Sequence, residues 1–192
     1  MKKNALILSA IVIFLVSFRP IEPATWALDN MHSNLGFSVG YLMISEIEGS
    51  FRMKEAVLTT PNEDFSDATV TMVADVKSVN TEIEDRDKHL KTADFFDAEK
   101  YPTLYFKSTS LKKEGKNKYK LTGDLALHGI TKQVTVDMEY TGTIENPASK
   151  KKTAGFQVRG TIKRSDFNLG NGFPPPMISN EVLIKADGEF VQ

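Results

Sequence analysis

The chain has 192 residues, no cysteine, and a formal net charge of −1 from 24 Lys/Arg and 25 Asp/Glu. The missing thiols exclude a disulfide framework, a thiolate nucleophile, a thiolate metal site and a lipidated amino-terminal cysteine, so stability rests on packing. The interspersed and nearly balanced charge leaves no electrostatic footprint for nucleic acid, which is not expected as a partner.

Residues 1–23 read as a signal peptide. Met-Lys-Lys-Asn precedes the apolar run from Ala5 to Phe18, the order of a positively charged region followed by a hydrophobic one. Such a run would make a helix of roughly 21 Å, short of the roughly 30 Å hydrocarbon core, which favours a cleaved export signal over a membrane span. No small-x-small site stands out before Trp26, and Arg19-Pro20 is an awkward junction, so an uncleaved anchor stays open. Residues 24–192 contain no Gly/Ser-rich or Pro-rich linker and read as one domain.

Beyond the signal, apolar residues recur at every second position, the period of half-buried strands. Trp26 and Leu28 come first, then Leu35, Phe37, Val39 and Tyr41, then the region from Phe51 to Leu58. Val70, Met72, Ala74 and Val76 follow on one face, opposed by Thr69, Thr71, Asp75 and Lys77.

The alternation then breaks. Thr81 and Glu84 have capping-box spacing, Glu82, Glu84 and Asp85 put negative charge at a helix start, and Lys88 and Lys91 fall towards its end. Ile83 and Leu90 share a face two turns apart. Phe95 and Phe96 come next, and Tyr101-Pro102 forces extended backbone. The spacing predicts one short amphipathic helix whose apolar residues plug or cover whatever lies beneath.

Alternation resumes with Leu104 and Phe106, then Leu121, Leu125 and Leu127, then Val134, Val136, Met138 and Tyr140. After the Lys150-Lys151-Lys152 run, which reads as a solvated hairpin tip, come Phe156, Val158 and Ile162, and finally Val182, Ile184, Ala186 and Phe190. Each strand has one wet and one apolar face, as in an antiparallel sheet that is closed on itself or folded into a sandwich, and the long strands favour a barrel. The expected class is all-β with one or two short helices, an antiparallel barrel of about eight strands. Its interior is either filled or hollow, because Ala74, Gly123, Gly160, Ala186 and Gly188 could each leave room, relieve taper or mark bulges.

Arg164 continues the inward register of Phe156, Val158 and Ile162. Two readings are open: an ion pair with Asp166 or Asp87, or a contact to a ligand. His32, His89 and His128 lie in separate elements without metal-ligand spacing, so no metal site is expected. His89 reads as a hydrogen-bonded residue of the surface or mouth, and His128 as the organiser of a turn at Gly129. No Gly-x-Ser-x-Gly elbow occurs and nothing singles out two carboxylates, so no catalytic residue and no enzymatic activity is expected.

An ordered series of motifs spans nearly the whole mature chain. Trp26 with Leu28-Asp29, His32-Ser33, Gly49-x-Phe51, Ser78-Val79 and Arg86-Asp87-x-His89-Leu90 are followed by Asp94-Phe95-Phe96-Asp97 and Tyr101-Pro102. Phe106-x-Ser108, Gly123-x-Leu125-x-Leu127-His128-Gly129-Ile130-Thr131-Lys132, Arg164-Ser165-Asp166-Phe167 and Glu181-Val182 complete the series. In these motifs the chain resembles the YceI-like family, also called lipid- or polyisoprenoid-binding. The resemblance implies a lipocalin-like extended barrel that holds a long apolar lipid, a polyisoprenoid or isoprenoid quinone, in an exported bacterial protein of the periplasm or the medium. The alternative is a structural or stress-response envelope protein whose interior is merely core.

On that reading the ligand-contact set is Phe37, Val39, Met72, Phe95, Phe96, Phe106, Val136, Met138, Phe156, Val158, Ile162 and Arg164. No cofactor is expected beyond a bound isoprenoid lipid or quinone. Transient membrane contact suits a carrier of such a ligand, and a homodimer would cover apolar rim surface, although no residue demands one. Phe173-Pro174-Pro175-Pro176 departs from the family pattern and reads as a stiff polyproline-like stretch at one barrel mouth.

Overall fold

The structure, a computed structural model, describes residues 22–192, so the expected signal peptide lies outside the described residues except for its last two positions. No helix of the described residues is long and apolar enough to cross a membrane.

Eight strands follow one another around a closed barrel: β1 (Ala24–Tyr41), β2 (Ser45–Thr60), β3 (Thr69–Asn80), β4 (Thr103–Gly115), β5 (Lys118–Leu127), β6 (Ile130–Glu145), β7 (Lys152–Lys163) and β8 (Ile178–Val191). Neighbours are antiparallel throughout, and β8 closes the sheet on β1 through pairs such as Phe37 with Ile184. Closure removes the exposed edges that a sheet of such long strands would otherwise present. The expected all-β barrel is therefore the fold observed. The patches around Trp26 and around Phe37 belong to a single strand of 18 residues. Its register slips between Ala27 and Leu35 against β2 and between Asp29 and Asn34 against β8, which is why alternation fails in its middle.

An up-and-down barrel sends its connections alternately to its two ends. The β1–β2 turn, helix α1 (Glu84–Leu90) between β3 and β4, the β5–β6 turn and the segment between β7 and β8 gather at one end, here the mouth. That last segment opens with a 3₁₀ helix, Arg164–Phe167. The β5–β6 turn needs positive φ at both central residues, 52° at His128 and 74° at Gly129, the geometry of a two-residue type I′ hairpin. His128 also hydrogen-bonds through Nδ1 to the Phe167 carbonyl at 2.9 Å, so it does organise the turn and ties it to the neighbouring segment.

The opposite end is closed by packing. Phe65, in the β2–β3 connection, is 1% exposed, and its ring lies 5.0–5.4 Å from those of Trp26, Tyr140 and Phe156. Phe156 in turn meets Phe190 edge-on at 5.8 Å. Each such aromatic pair contributes about 0.5–1.5 kcal/mol beyond its area burial. Tyr119 anchors this plug by donating its hydroxyl to the Asp64 carbonyl at 2.5 Å, and Lys113 Nζ reaches the Asp64 carboxylate at 2.8 Å.

The Lys113 ammonium, with the Ser66 hydroxyl and amide, holds the Asp64 carboxyl down at about 2. A folded value below the unfolded one stabilises the fold above the ordinary aspartate range, near pH 4, and the contribution is lost as pH falls through about 2. Because the pair is exposed the effect is small and screened by salt. Acid titration of the wild type and of Asp64→Asn, followed by tryptophan fluorescence, should show a flatter acid limb between about pH 4 and 2 in the variant. Superimposable limbs would remove the linkage.

The interior glycines do not hollow out the barrel. A Cβ on Gly123 would lie 2.4 Å from the Phe106 ring, and one on Gly160 2.4 Å from Val136 Cγ1, so each glycine admits a large neighbour. Any open space lies elsewhere.

Candidate functional site

A cavity of about 370 Å³ opens at the mouth end. That is within the range of small-molecule pockets, about 300–1,000 Å³. Its walls are inward residues of β1 to β8, among them Leu35, Phe51, Leu104, Leu125 and Ile184, and its lining is almost wholly apolar.

Of the residues expected to contact a ligand, Phe37, Val39, Met72, Phe95, Phe96, Phe106, Ile162 and Arg164 line this cavity. Val136, Met138, Phe156 and Val158 do not. They face inward as alternation requires, but farther along β6 and β7 towards the plug, where Tyr140 pairs with Phe156 and Met138 with Val158. From the closed end Phe65 packs edge-on against Phe156 at 5.0 Å, so Phe156 belongs to the plug and not to the chamber wall.

The helical segment roofs the cavity, though its local construction differs from the expected one. The first helical residue is Glu84, Ile83 sits at the cap position with extended backbone, and no side-chain cap forms. Thr81 bonds instead to Asp87, whose Oδ1 accepts from the Thr81 amide at 2.8 Å and hydroxyl at 2.6 Å, while Arg86 grips Thr81 Oγ1 and O at 2.7 Å each. Ile83 turns outward, half-exposed, and Leu90 alone of the expected pair lines the cavity. Phe96 meets Phe51 edge-on at 5.2 Å, and Phe95 stacks on Phe173 at 5.0 Å.

Phe173 therefore belongs to the roof. Pro174-Pro175-Pro176 is not an extended polyproline stretch: its chain turns back, with the Met177 amide donating to the Pro174 carbonyl at 2.8 Å. Gly170 lets roof and segment meet. Its φ is +60°, a Cβ there would lie 2.7 Å from the Phe95 ring, and its amide donates to the Asp94 carbonyl at 3.0 Å.

Arg164 makes neither of the anticipated ion pairs, since Asp166 is exposed and Asp87 is committed to Thr81. It is 7% exposed and spends all its N–H groups on backbone carbonyls: Nε on Ser179, Nη1 on Leu169 and Gly170, Nη2 on Phe173 and Ile178. Burial lowers its pKa from the ordinary guanidinium value, yet a guanidinium stays charged in proteins. With every donor used, it clamps the mouth segment and has no hydrogen bond left for a ligand.

Polar capacity at the mouth lies instead on α1, where the sequence had indicated His89 as a hydrogen-bonded residue of the surface or mouth but Arg86 only as a motif position. Arg86 and His89 both line the cavity. Arg86 uses Nε and Nη2 on Thr81, which leaves Nη1, and His89 uses Nε2 on Asp94 at 3.1 Å, which leaves Nδ1. The third histidine, His32, lies outside the barrel with Asp29 and Glu189, their ligand-type atoms all within 4.8 Å of one another. Asp29, and secondarily Glu189, holds the His32 imidazole above its usual pKa. The β1–β8 pairing of Asp29 with Glu189 creates this exposed group, which sequence spacing could not reveal.

Fold and cavity together define a small eight-stranded barrel, plugged at one end, with an apolar chamber of ligand-pocket size at the other. Comparison with known proteins makes the assignment specific. The YceI-like domain matches residues 26–190, and the chain belongs to that family. A UPF0312 protein of Photorhabdus laumondii is 35% identical over 161 residues, covering 84% of this chain and 83% of that protein. The crystal structure of Burkholderia cenocepacia BcnA superposes with a TM-score of 0.76 at 27% identity, covering 84% of this chain and 98% of BcnA. A polyisoprenoid-binding domain from Saccharophagus degradans has the same fold, with a TM-score of 0.62 at 16% identity over 86% of this chain and 97% of that domain.

Proposed function

We propose that this protein binds a long-chain apolar lipid, of polyisoprenoid or isoprenoid-quinone type, in the mouth-side chamber and carries, stores or sequesters it in the cell envelope. The observation that carries this reading is the apolar chamber of about 370 Å³ roofed by Phe95 and Phe96. A core packed only for stability would close such a space, since each unfilled volume forfeits contacts. The polyisoprenoid-binding neighbour supports the reading at the level of the fold. Export to the periplasm or medium belongs to it, resting on Lys2-Lys3 followed by Ala5 to Phe18.

Hydrocarbon gains little on moving from a membrane to a dry barrel, because both exclude water. At about 0.8 kcal/mol per CH₂ the sum for a long chain from water would exceed the practical affinity ceiling of roughly 18–21 kcal/mol, so that sum is not an affinity. Selectivity comes from fit and from head-group contacts, for which Arg86 Nη1 and His89 Nδ1 are placed. The protein acts as a binder and not as an enzyme.

Protein recovered from cells, extracted into organic solvent and analysed by mass spectrometry, should yield about one prenyl lipid or quinone per barrel. Lipid-free protein would point to the structural role instead. The double variant Phe95→Ala/Phe96→Ala removes the roof but no strand, so it should keep β-type circular dichroism while releasing bound lipid about tenfold faster or more, each tenfold being about 1.4 kcal/mol. Unaltered release would make these rings a packing element only.

A further inference from the structure

The β1–β2 turn presents to water what a barrel normally hides. From Ser38 to Ser45 the chain reads Ser-Val-Gly-Tyr-Leu-Met-Ile-Ser, without a charge. Met43 is 82% and Ile44 86% exposed, and Tyr41, Leu42 and Met177 are also exposed. The Leu42 amide donates to the Met177 carbonyl at 2.9 Å, and Tyr41 pairs with Ile178, so these side chains form one patch. Tyr41 and Met177 also line the cavity, so apolar surface runs without a break from the chamber to the tip.

Turn geometry does not account for these residues. Leu42 and Met43 have φ of 51° and 60° and are the central residues of a turn closed by the Ile44 amide on the Tyr41 carbonyl. Asn-Gly fits such a turn without strain and is polar, whereas bulky side chains are disfavoured at positive φ. Here the chain accepts both backbone strain and exposed hydrocarbon. Single exposed apolar residues need no explanation, but a contiguous patch at the mouth of an apolar chamber marks an interaction surface.

We propose that the Leu42-Met43-Ile44 tip inserts into the boundary between headgroups and acyl chains of a lipid bilayer and sets the chamber mouth against the membrane. This rests on the lipid-binding reading above. A bilayer is favoured over a second copy because the five partly exposed side chains offer roughly a few hundred Å², while a stable protein interface buries about 800 Å² per partner. The charges beside the tip on β2 are Glu46 and Glu48, paired with Gly40 and Ser38, so the tip itself offers no attraction to anionic lipid. Insertion is by apolar burial, and binding is to zwitterionic bilayers and resists salt.

The test compares wild type with Met43→Asn/Ile44→Ser, both recovered from the same cells and so sharing one amino-terminus. Flotation with phosphatidylcholine vesicles should show wild-type binding that persists at high salt and falls about tenfold or more in the variant. The melting temperature should hold or rise, since asparagine tolerates positive φ. Binding of phenylnaphthylamine by the delipidated proteins in solution should be unchanged, because neither Met43 nor Ile44 lines the chamber. The single variant Ile44→Ser, outside the positive-φ pair, serves if the double variant folds poorly. Equal vesicle binding by variant and wild type, no wild-type binding, or a wild-type dimer that the variant converts to monomer would each overturn the proposal. Failure of the delipidated wild type to bind phenylnaphthylamine would instead overturn the lipid-binding reading.

Discussion

Replacing Arg164 with methionine is expected to destabilise the fold by about 3–5 kcal/mol, the largest loss from any single polar side chain at the mouth. The guanidinium is the shared donor for carbonyls of Leu169, Gly170, Phe173, Ile178 and Ser179, which lie in the segment joining β7 to β8 and at the start of β8. Methionine fills similar volume but supplies no donor, so these acceptors must find water or stay unpaired. The cost is less than the sum of separate penalties because several of the bonds are only partly buried and the segment can relax outward. For a domain of this size the loss corresponds to a fall of roughly 6–20 °C in melting temperature.

The same loosening would free Phe173, and with it the stack on Phe95, so exchange of the Gly170 and Met177 amides should rise before global unfolding. Arg164→Lys should recover only part of the stability, because an ammonium offers three donors from one point in place of a planar fork. Urea melts of both variants provide the check. A methionine variant within about 0.5 kcal/mol of wild type would show that the clamp is not needed to hold the mouth.

The barrel itself was legible because it rests on a local regularity: in each strand, alternation sorts residues such as Leu121, Leu125 and Leu127 from Thr122 and Asp124, and burial follows it. The roof was partly legible, since Phe95 and Phe96 interrupt that regularity next to a helical pattern. What holds the mouth was not, because backbone carbonyls are common to all residues and carry no sequence signature. Alternation could turn Arg164 inward but could not name its partners. The cap failed for a related reason. Thr81 and Glu84 have the spacing, but Asp87 competes for Thr81 and Ile83 takes the cap position.

Nor could the sequence divide the interior into a filled half and an open half. Val136, Met138, Phe156 and Val158 have the same alternation as Phe37 and Val39. What separates them is depth along the barrel: the former lie beyond the chamber lining, towards the end closed by Phe65. Phe65 lies within the polar segment Asn62-Glu63-Asp64-Phe65-Ser66-Asp67 and enters the barrel from a loop with φ of 58°. A lone aromatic among turn residues has no local signature of burial.

Phe65→Ala should therefore change both stability and the length of chain the barrel accepts. Truncating a fully buried phenylalanine costs about 3–5 kcal/mol, and here the ring contacts to Trp26, Tyr140 and Phe156 are lost together. The space released adjoins Trp26, Tyr140 and Phe156, so these rings gain room to shift towards the closed end, and a ligand could then extend along β6 and β7 behind them. Lipids extracted from the variant should be shifted to longer chains than those from wild type. Bound lipid should also restore part of the lost melting temperature, because a ligand that binds only the folded state stabilises it by mass action. Phe65→Gly separates the two effects: it removes the same ring and relieves the positive φ, so it should melt above the alanine variant while accepting the same longer chains. A destabilised alanine variant with an unchanged lipid profile would mean that Phe65 bounds the core but not the ligand.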